Sequence, residues 1–210
     1  MAKPASKETL KQKFASIFRR KESAIITNVA TEARTEEFLV TQALLKEINR
    51  DSPASQRVKA IRDLCELVTT KRLEDNGIEA LWKATADFLE PQVPAEHRHL
   101  MLTFIKCIIA GQGERLELMR AVFFDVIKKH SIFEDLPQRL DVLKSLSANG
   151  KNLLHFEEDM GAFLLAWMPD VISYGMTAEF LGLLVNVFKF NSCYLDDHIV
   201  AGLVKHTCTV

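Results

Sequence analysis

Apolar residues recur along most of this chain at the three- and four-residue spacing of one helix face, without the alternation of a half-buried strand. Val58, Ile61, Cys65 and Val68 form one stripe, and Ile78, Leu81, Trp82, Thr85, Phe88 and Leu89 the next. Met101, Phe104, Ile105 and Ile108 make a third, and Leu116, Met119, Phe123, Val126 and Ile127 a fourth. Further along stand Leu136, Leu140, Leu143 and Leu146, then Phe156, Met160, Phe163, Leu164 and Trp167, then Phe180, Leu181, Leu184, Val187 and Phe188, and last Leu195, Ile199 and Leu203. Punctuation falls between them. Pro53, Pro91 and Pro94 sit where helices stop or start. The Gly111-Gln112-Gly113 break is expected to end the third stripe, with the fourth resuming at once. Asn149-Gly150 reads as a left-handed cap, Pro169 as the end of the segment that carries Trp167, and Gly175 and Thr177 as the introduction to the next.

Helix starts are thus expected near Glu36, Ser55, Asn76, Glu96, Glu114, Glu134, Phe156, Thr177 and Leu195. They are about 20 residues apart, so helix pairs recur near the 40-residue period of HEAT and armadillo arrays. Each face is too apolar to leave in water, and short connections make neighbours antiparallel. The expected fold is all-α, an α-solenoid of HEAT/armadillo-like antiparallel helix pairs over residues 35–210; a closed helical bundle is the alternative. Residues 1–34 read as a basic N-terminal helix and linker, with Leu10, Phe14, Ile17 and Phe18 on one face among lysines and arginines between Ser6 and Arg20. That helix suits a cap on the first repeat better than a membrane-surface or calmodulin-type segment.

Composition narrows the function classes. The 210 residues are 48% hydrophobic, enough to bury a continuous core. Lysine and arginine (27) nearly balance aspartate and glutamate (28), so no large field selects nucleic acid or anionic membrane. Cys65, Cys107, Cys193 and Cys208 lie far apart in sequence without a Cys-x-x-Cys pair, and read as reduced thiols of a cytoplasmic protein. No apolar run approaches the length of a bilayer span, and the opening thirteen residues lack the apolar core of a secretory signal.

Candidate chemistry is sparse. His97 and His99 form a His-x-His whose rings point apart on a helix, unlike the i, i+4 pair that shares a metal. The acidic clusters Glu157-Glu158-Asp159 and Asp196-Asp197 lack the glycine and spacing of a calcium loop and suit helix N-termini. Gly111-Gln112-Gly113-Glu114-Arg115 has no preceding strand and no following Gly-Lys-Ser/Thr, so it reads as a helix-to-helix turn rather than a phosphate loop. Trp82 and Trp167 fall on apolar stripes as core anchors. No catalytic, cofactor-binding or metal-binding residue is assigned, and no enzyme activity is expected.

Particular segments resemble the N-terminal region of the tuberin family. They are Met1-Ala2-Lys3-Pro4, Glu79-Ala80-Leu81-Trp82-Lys83-Ala84, Gly111-Gln112-Gly113-Glu114-Arg115-Leu116, Phe123-Phe124, Trp167-Met168, and the run from Leu184-Val185-Asn186 through Lys189-Phe190-Asn191-Ser192-Cys193-Tyr194-Leu195-Asp196. The likeness runs in order from Met1 to about Ala201. It departs at Lys21 to Thr35, at Pro169 to Gly175, which looks longer than the equivalent turn, and from Gly202 onward, where the family continues as solenoid; a chain truncated at its C-terminal end is the expectation.

The resemblance implies a scaffold arm that binds the coiled coil of hamartin, in a complex that activates GTP hydrolysis by Rheb and restrains target-of-rapamycin signalling. In the family the GTPase-activating domain is C-terminal and absent here, so Rheb is engaged only through that missing part. The location implied is cytoplasmic, with recruitment to the lysosomal membrane surface through the complex, and membrane contact at most indirect or through the basic helix. Two other readings stand beside it. The chain could stimulate hydrolysis itself, with Arg115 offered to the transition state, or it could attach to membrane surfaces through Ser6 to Arg20. The partner-contacting residues are not assigned.

Overall fold

The computed structural model describes residues 37–208. The basic helix expected at Ser6 to Arg20 and the linker after it lie outside them. Nine α-helices follow among the described residues: α1 Gln42–Ile48, α2 Ala54–Thr70, α3 Gly77–Thr85, α4 Ala95–Gln112, α5 Met119–Lys129, α6 Leu136–Leu146, α7 Glu157–Tyr174, α8 Thr177–Asn191 and α9 Asp197–Thr207. The expected starts fall within a few residues of these for most helices. The first does not. Strand β1, Glu37–Phe38, pairs in parallel with β2, Arg72–Leu73, and α1 begins only at Gln42, where Thr41 Oγ1 accepts from the Leu44 N–H and caps it.

The fold is all-α apart from that two-residue pairing. Helices α2, α4, α6 and α8 start at Ala54, Ala95, Leu136 and Thr177, each 41 residues after the last. This is the repeat in its exact register. α2 packs along α4 and α4 along α6, while α7 packs on both α8 and α9. Rings link the second helices α3, α5 and α7, and α7 to the first helix α8. Trp82 of α3 meets Phe123 of α5 edge-on at 5.8 Å, Phe124 of α5 meets Phe163 of α7 edge-on at 5.4 Å, and Trp167 of α7 meets Phe180 of α8 edge-on at 6.3 Å. Trp167 is a core anchor as expected; Trp82 is only half-buried at the edge of the core.

Three expected boundaries move, each for a packing reason. Gly111 does not break α4. It lies within the helix, and a Cβ there would fall 1.9 Å from the Val68 carbonyl oxygen, so glycine is what lets α4 lie against α2. The helix ends at Gly113, which takes φ 52°. The fourth stripe does not resume at once either: Gly113–Leu116 is a single 3-10 turn, and Glu117 at φ 43° breaks the chain before α5. Pro169 sits inside α7 rather than closing it. Its ring removes one helical bond, but buried Val171 beyond it carries the helix to Tyr174. There Gly175 at φ 88° closes it, with Met176 N–H donating to the Val171 carbonyl and Gly175 N–H to that of Ile172.

The helix expected to stop at Asn149-Gly150 ends earlier, at Leu146 with Ser147 as its cap, and the left-handed turn that follows runs through Asn149 and Gly150. Ala148, Asn149 and Gly150 all take left-handed φ, and α8 holds the turn: Asn186 Nδ2 donates to the Asn149 carbonyl and Asn191 Nδ2 to that of Gly150. The acidic clusters occupy the N-terminal ends of α7 and α9, where the helix dipole favours them. No helix among the described residues is long and apolar enough to cross a membrane.

Candidate interaction surface

The repeat register also places charge. The fourth residue of α2, α4 and α6 is an arginine in each case, Arg57, Arg98 and Arg139, and all three are buried. A buried guanidinium is costly unless its donors are taken, and here they are taken by the ends of neighbouring elements. Arg57 Nε donates to the carbonyl of Ile48, the last residue of α1, and its two terminal nitrogens clasp Asp87 at 2.8 and 2.6 Å beneath the Phe88 ring. Arg139 donates through Nε and Nη2 to the Ile127 carbonyl near the end of α5 and lies 4.8 Å from the Trp167 ring centre. Burial pushes its guanidinium down to about 10, against the pull of Asp170 and Asp135. Off this register, buried Arg120 donates to the carbonyls of Leu146, Asn152 and Leu154. Unpaired carbonyls at helix ends are what such donors meet. The recurrence of arginine at 57, 98 and 139 is a signal the stripes of apolar residues do not carry.

Arg98 builds the densest polar cluster. Its Nε donates to Asp135 Oδ2 at 2.6 Å and its Nη2 to Asp135 Oδ1 and Glu134 Oε2, while Nη1 reaches the Val93 carbonyl. The same carboxylate takes His99 Nε2 and His130 Nε2, each at 2.7 Å. Asp135 is fully buried. Burial alone would raise its pKa, but the bonds from Arg98, His130 and His99 outweigh it and hold the carboxyl below its ordinary range. Burial pushes His130 down, more than its bond to Asp135 restores. Of the sequence candidates, His99 is thus spent on Asp135 and His97 rests edge-on against Phe88. An Asp–His pair resembles half of a hydrolytic constellation, yet no hydroxyl or thiol bonds to either imidazole among the described residues. The cluster ties α4 to the turn before α6 and to the end of α5.

Among the described residues, two surface grooves bear on binding. One, of about 350 Å³, has Phe163, Trp167, Ala162 and Ala166 of α7 as its floor, with Lys128, Asp159 and Asp170 on the rim. Lys128 and Asp159 already pair at 3.0 Å. The other, of about 550 Å³, lies between α3 and the stretch leading into α5. Glu74, Asp75, Glu79 and Glu117 make it acidic, and Leu118 and Val122 offer apolar surface there; Leu118 is 72% exposed. Arg115 belongs to this groove, but Nη1 donates to the Leu73 carbonyl at 2.6 Å and Nη2 to Asp75. The helix-to-helix turn expected at Gly111 to Arg115 begins only at Gly113, because Gly111 and Gln112 belong to α4. An exposed leucine beside acidic side chains, between the second helices of successive repeats, suits an amphipathic helix with basic flanks.

Cys65 and Cys107, far apart in sequence, are brought together on α2 and α4. Burial, and then the neighbouring Cys107, push the Cys65 thiol up to about 12. Among the described residues no group of three or more histidines, cysteines or acids is arranged to hold a metal ion.

Comparison with known proteins agrees with this architecture. A family model described as "Domain of unknown function (DUF3384)" matches residues 54–210. A solved structure described as "Structure of the TSC2 N-terminus" superposes with a TM-score of 0.65 at 22% sequence identity, covering 78% of this chain and 43% of that one. The likeness is one of fold, and this chain spans less than half of that chain's length. It accords with the resemblance to the N-terminal region of tuberin.

Proposed function

The chain belongs to the DUF3384 family, and from that premise we propose that it is a non-catalytic scaffold arm whose solenoid surface receives the coiled coil of hamartin. The groove between α3 and α5 carries the reading. Leu118 and Val122 stand at a surface lined by Glu74, Asp75, Glu79 and Glu117, with Arg115 the one cation among them and paired to Asp75, the combination of apolar anchor and mainly acidic rim that holds one face of a partner helix. The fold shared with the TSC2 N-terminus supports placing the chain in the same setting, a complex that activates GTP hydrolysis by Rheb and restrains target-of-rapamycin signalling. In this reading the chain supplies binding, and hydrolysis belongs to a domain elsewhere in the complex. The reading also places the chain in the cytoplasm, drawn to the lysosomal surface through its partners.

A calorimetric titration of the purified chain with the hamartin coiled coil tests this. Saturable binding in the micromolar range supports it; no heat and no co-migration on gel filtration would remove the partner assignment. Single-turnover hydrolysis by GTP-loaded Rheb should stay at the intrinsic rate when this chain is added, because Arg115 is held by the Leu73 carbonyl and Asp75 and so is not free to reach a transition state.

A further inference from the structure

Of the three arginines that recur at one helical position, two are seated on a carboxylate and the third is not. Arg57 clasps Asp87 through both terminal nitrogens, and Arg98 clasps Asp135 through Nε and Nη2. Arg139 spends Nε and Nη2 on the Ile127 carbonyl; among the described residues it has no ion pair, and its Nη1 has no acceptor. The counterpart of Asp87 is Asp170, which follows Arg139 at nearly the same distance along the chain. Its charge acts on the guanidinium, yet it stands exposed on the rim of the groove of about 350 Å³ and bonds to nothing among the described residues. Arg139 lines the same groove. The groove thus holds an unclosed pair, a buried cation on its wall and an exposed acid on its rim.

This groove is interior to the array: it lies between α5 and α7, the second helices of successive repeats, and α8 and α9 both pack on α7. Its floor is apolar. Phe163 and Trp167 stack with ring centres 5.0 Å apart, and Ala162 and Ala166 are too small to fill the space. Trp167 Nε1 is buried without an acceptor among the described residues, a state rare in a folded interior, so two donors on the side chains of this groove lack a partner. Lys128 and Asp159 neutralise each other at 3.0 Å, which leaves one cation, Arg139, and one anion, Asp170, to be matched. A plain anion is repelled by Asp170 and a plain cation by Arg139. A zwitterion with an apolar body satisfies both, and an apolar pocket of this size with a few polar groups suits a small molecule.

We propose that the groove between α5 and α7 binds a free amino acid with an aromatic side chain, its carboxylate on Arg139 Nη1, its ammonium on Asp170 and its ring against Phe163 and Trp167. The carboxylate takes the place on Arg139 that Asp87 holds on Arg57, and both polar contacts are charge-assisted. The site is separate from the acidic groove between α3 and α5 and does not rest on the partner proposed there.

L-phenylalanine is the probe that tests it. Titrated into the full chain and followed by tryptophan emission, a signal phenylalanine lacks, it should saturate in the high micromolar range that a ligand of this size allows. Phenethylamine, which lacks the carboxylate, and hydrocinnamate, which lacks the ammonium, should each bind at least about tenfold more weakly. Asp170→Asn should weaken phenylalanine about tenfold and leave hydrocinnamate no weaker than before, because it removes only the partner of the ammonium. Ala166→Leu, at an exposed helical position, should abolish binding with the thermal midpoint unchanged, because it fills the groove and leaves the core alone. No saturation by phenylalanine, equal binding of the three compounds, or binding indifferent to Ala166→Leu overturns the proposal.

Discussion

Arg98 and Asp135 form a bidentate pair inside the fold, with Nε to Oδ2 at 2.6 Å and neither side chain more than 6% exposed. Arg98 belongs to α4 and Asp135 to the turn before α6, so the pair fastens one repeat to the next. Removing Arg98 takes the guanidinium from the buried Asp135 carboxylate and leaves it only the imidazoles of His99 and His130; breaking a buried pair costs about 3–5 kcal/mol. Arg98→Met should therefore cost about that much in urea-induced unfolding, and adding Asp135→Asn should recover part of the loss. A cost under about 1 kcal/mol for the single change would place the pair in solvent rather than in the core.

The same cluster makes stability fall in acid. The folded His130 pKa lies below its ordinary 6.5, so the unfolded chain binds more protons as the pH drops through that value, and stability is lost from there downward. Asp135, below its ordinary 3.8, adds a second loss as the pH falls past the usual carboxylate range. Urea midpoints measured from pH 7.5 to 5 should decline in wild type. In His130→Gln, which keeps a donor for Asp135 but cannot titrate, the decline should be clearly shallower. An equal slope in both would assign the loss to other groups.

Gly111→Ala reverses the usual helix rule. At an open helical site this change gains up to about 1 kcal/mol, but here the new methyl meets the Val68 carbonyl at 1.9 Å and Thr69 Cα at 2.6 Å. Both are backbone atoms and cannot swing aside, so α2 and α4 must part. A loss of about 1–3 kcal/mol or more is expected, read as a lower thermal midpoint. An unchanged or raised midpoint would mean that the two helices do not approach this closely.

Thiol reactivity should divide the cysteines in two. Cys193 and Cys208 are exposed, whereas Cys65 is raised to about 12 by burial beside Cys107. Since the thiolate is the reacting form, iodoacetamide at pH 8 should label Cys193 and Cys208 first and Cys65 only on unfolding, as followed by peptide mass spectrometry. Early labelling of Cys65 would contradict the α2–α4 packing.

The helices were legible because their apolar stripes are regular and their ends carry proline, glycine or acidic residues that punish any other conformation. Thr177 begins α8 as expected, and Gly150 takes the left-handed turn. What failed were inferences from single residues against tertiary context. Proline at 169 reads as a stop, yet burial of Val171 carries α7 past it; Gly111 reads as a break, yet its missing side chain serves a helix contact. The start near Glu36 failed because Glu37 and Phe38 find a strand partner 35 residues away, which no local pattern announces. The surface was the least legible. Arg57, Arg98 and Arg139 look like ordinary helix-face charges until their 41-residue recurrence is matched to burial, and the exposure of Leu118 follows from the kink at Glu117.

The central claim is that this solenoid binds a partner helix at the groove between α3 and α5, and Leu118→Glu tests it most directly. The side chain is exposed, so the fold should stand, and the new charge joins Glu74, Asp75, Glu79 and Glu117 where an apolar anchor is needed. Titrated calorimetrically with the hamartin coiled coil, wild type should bind saturably and Leu118→Glu at least about tenfold more weakly, a loss of about 1.4 kcal/mol. Equal binding by both proteins, or binding by neither, would contradict the account.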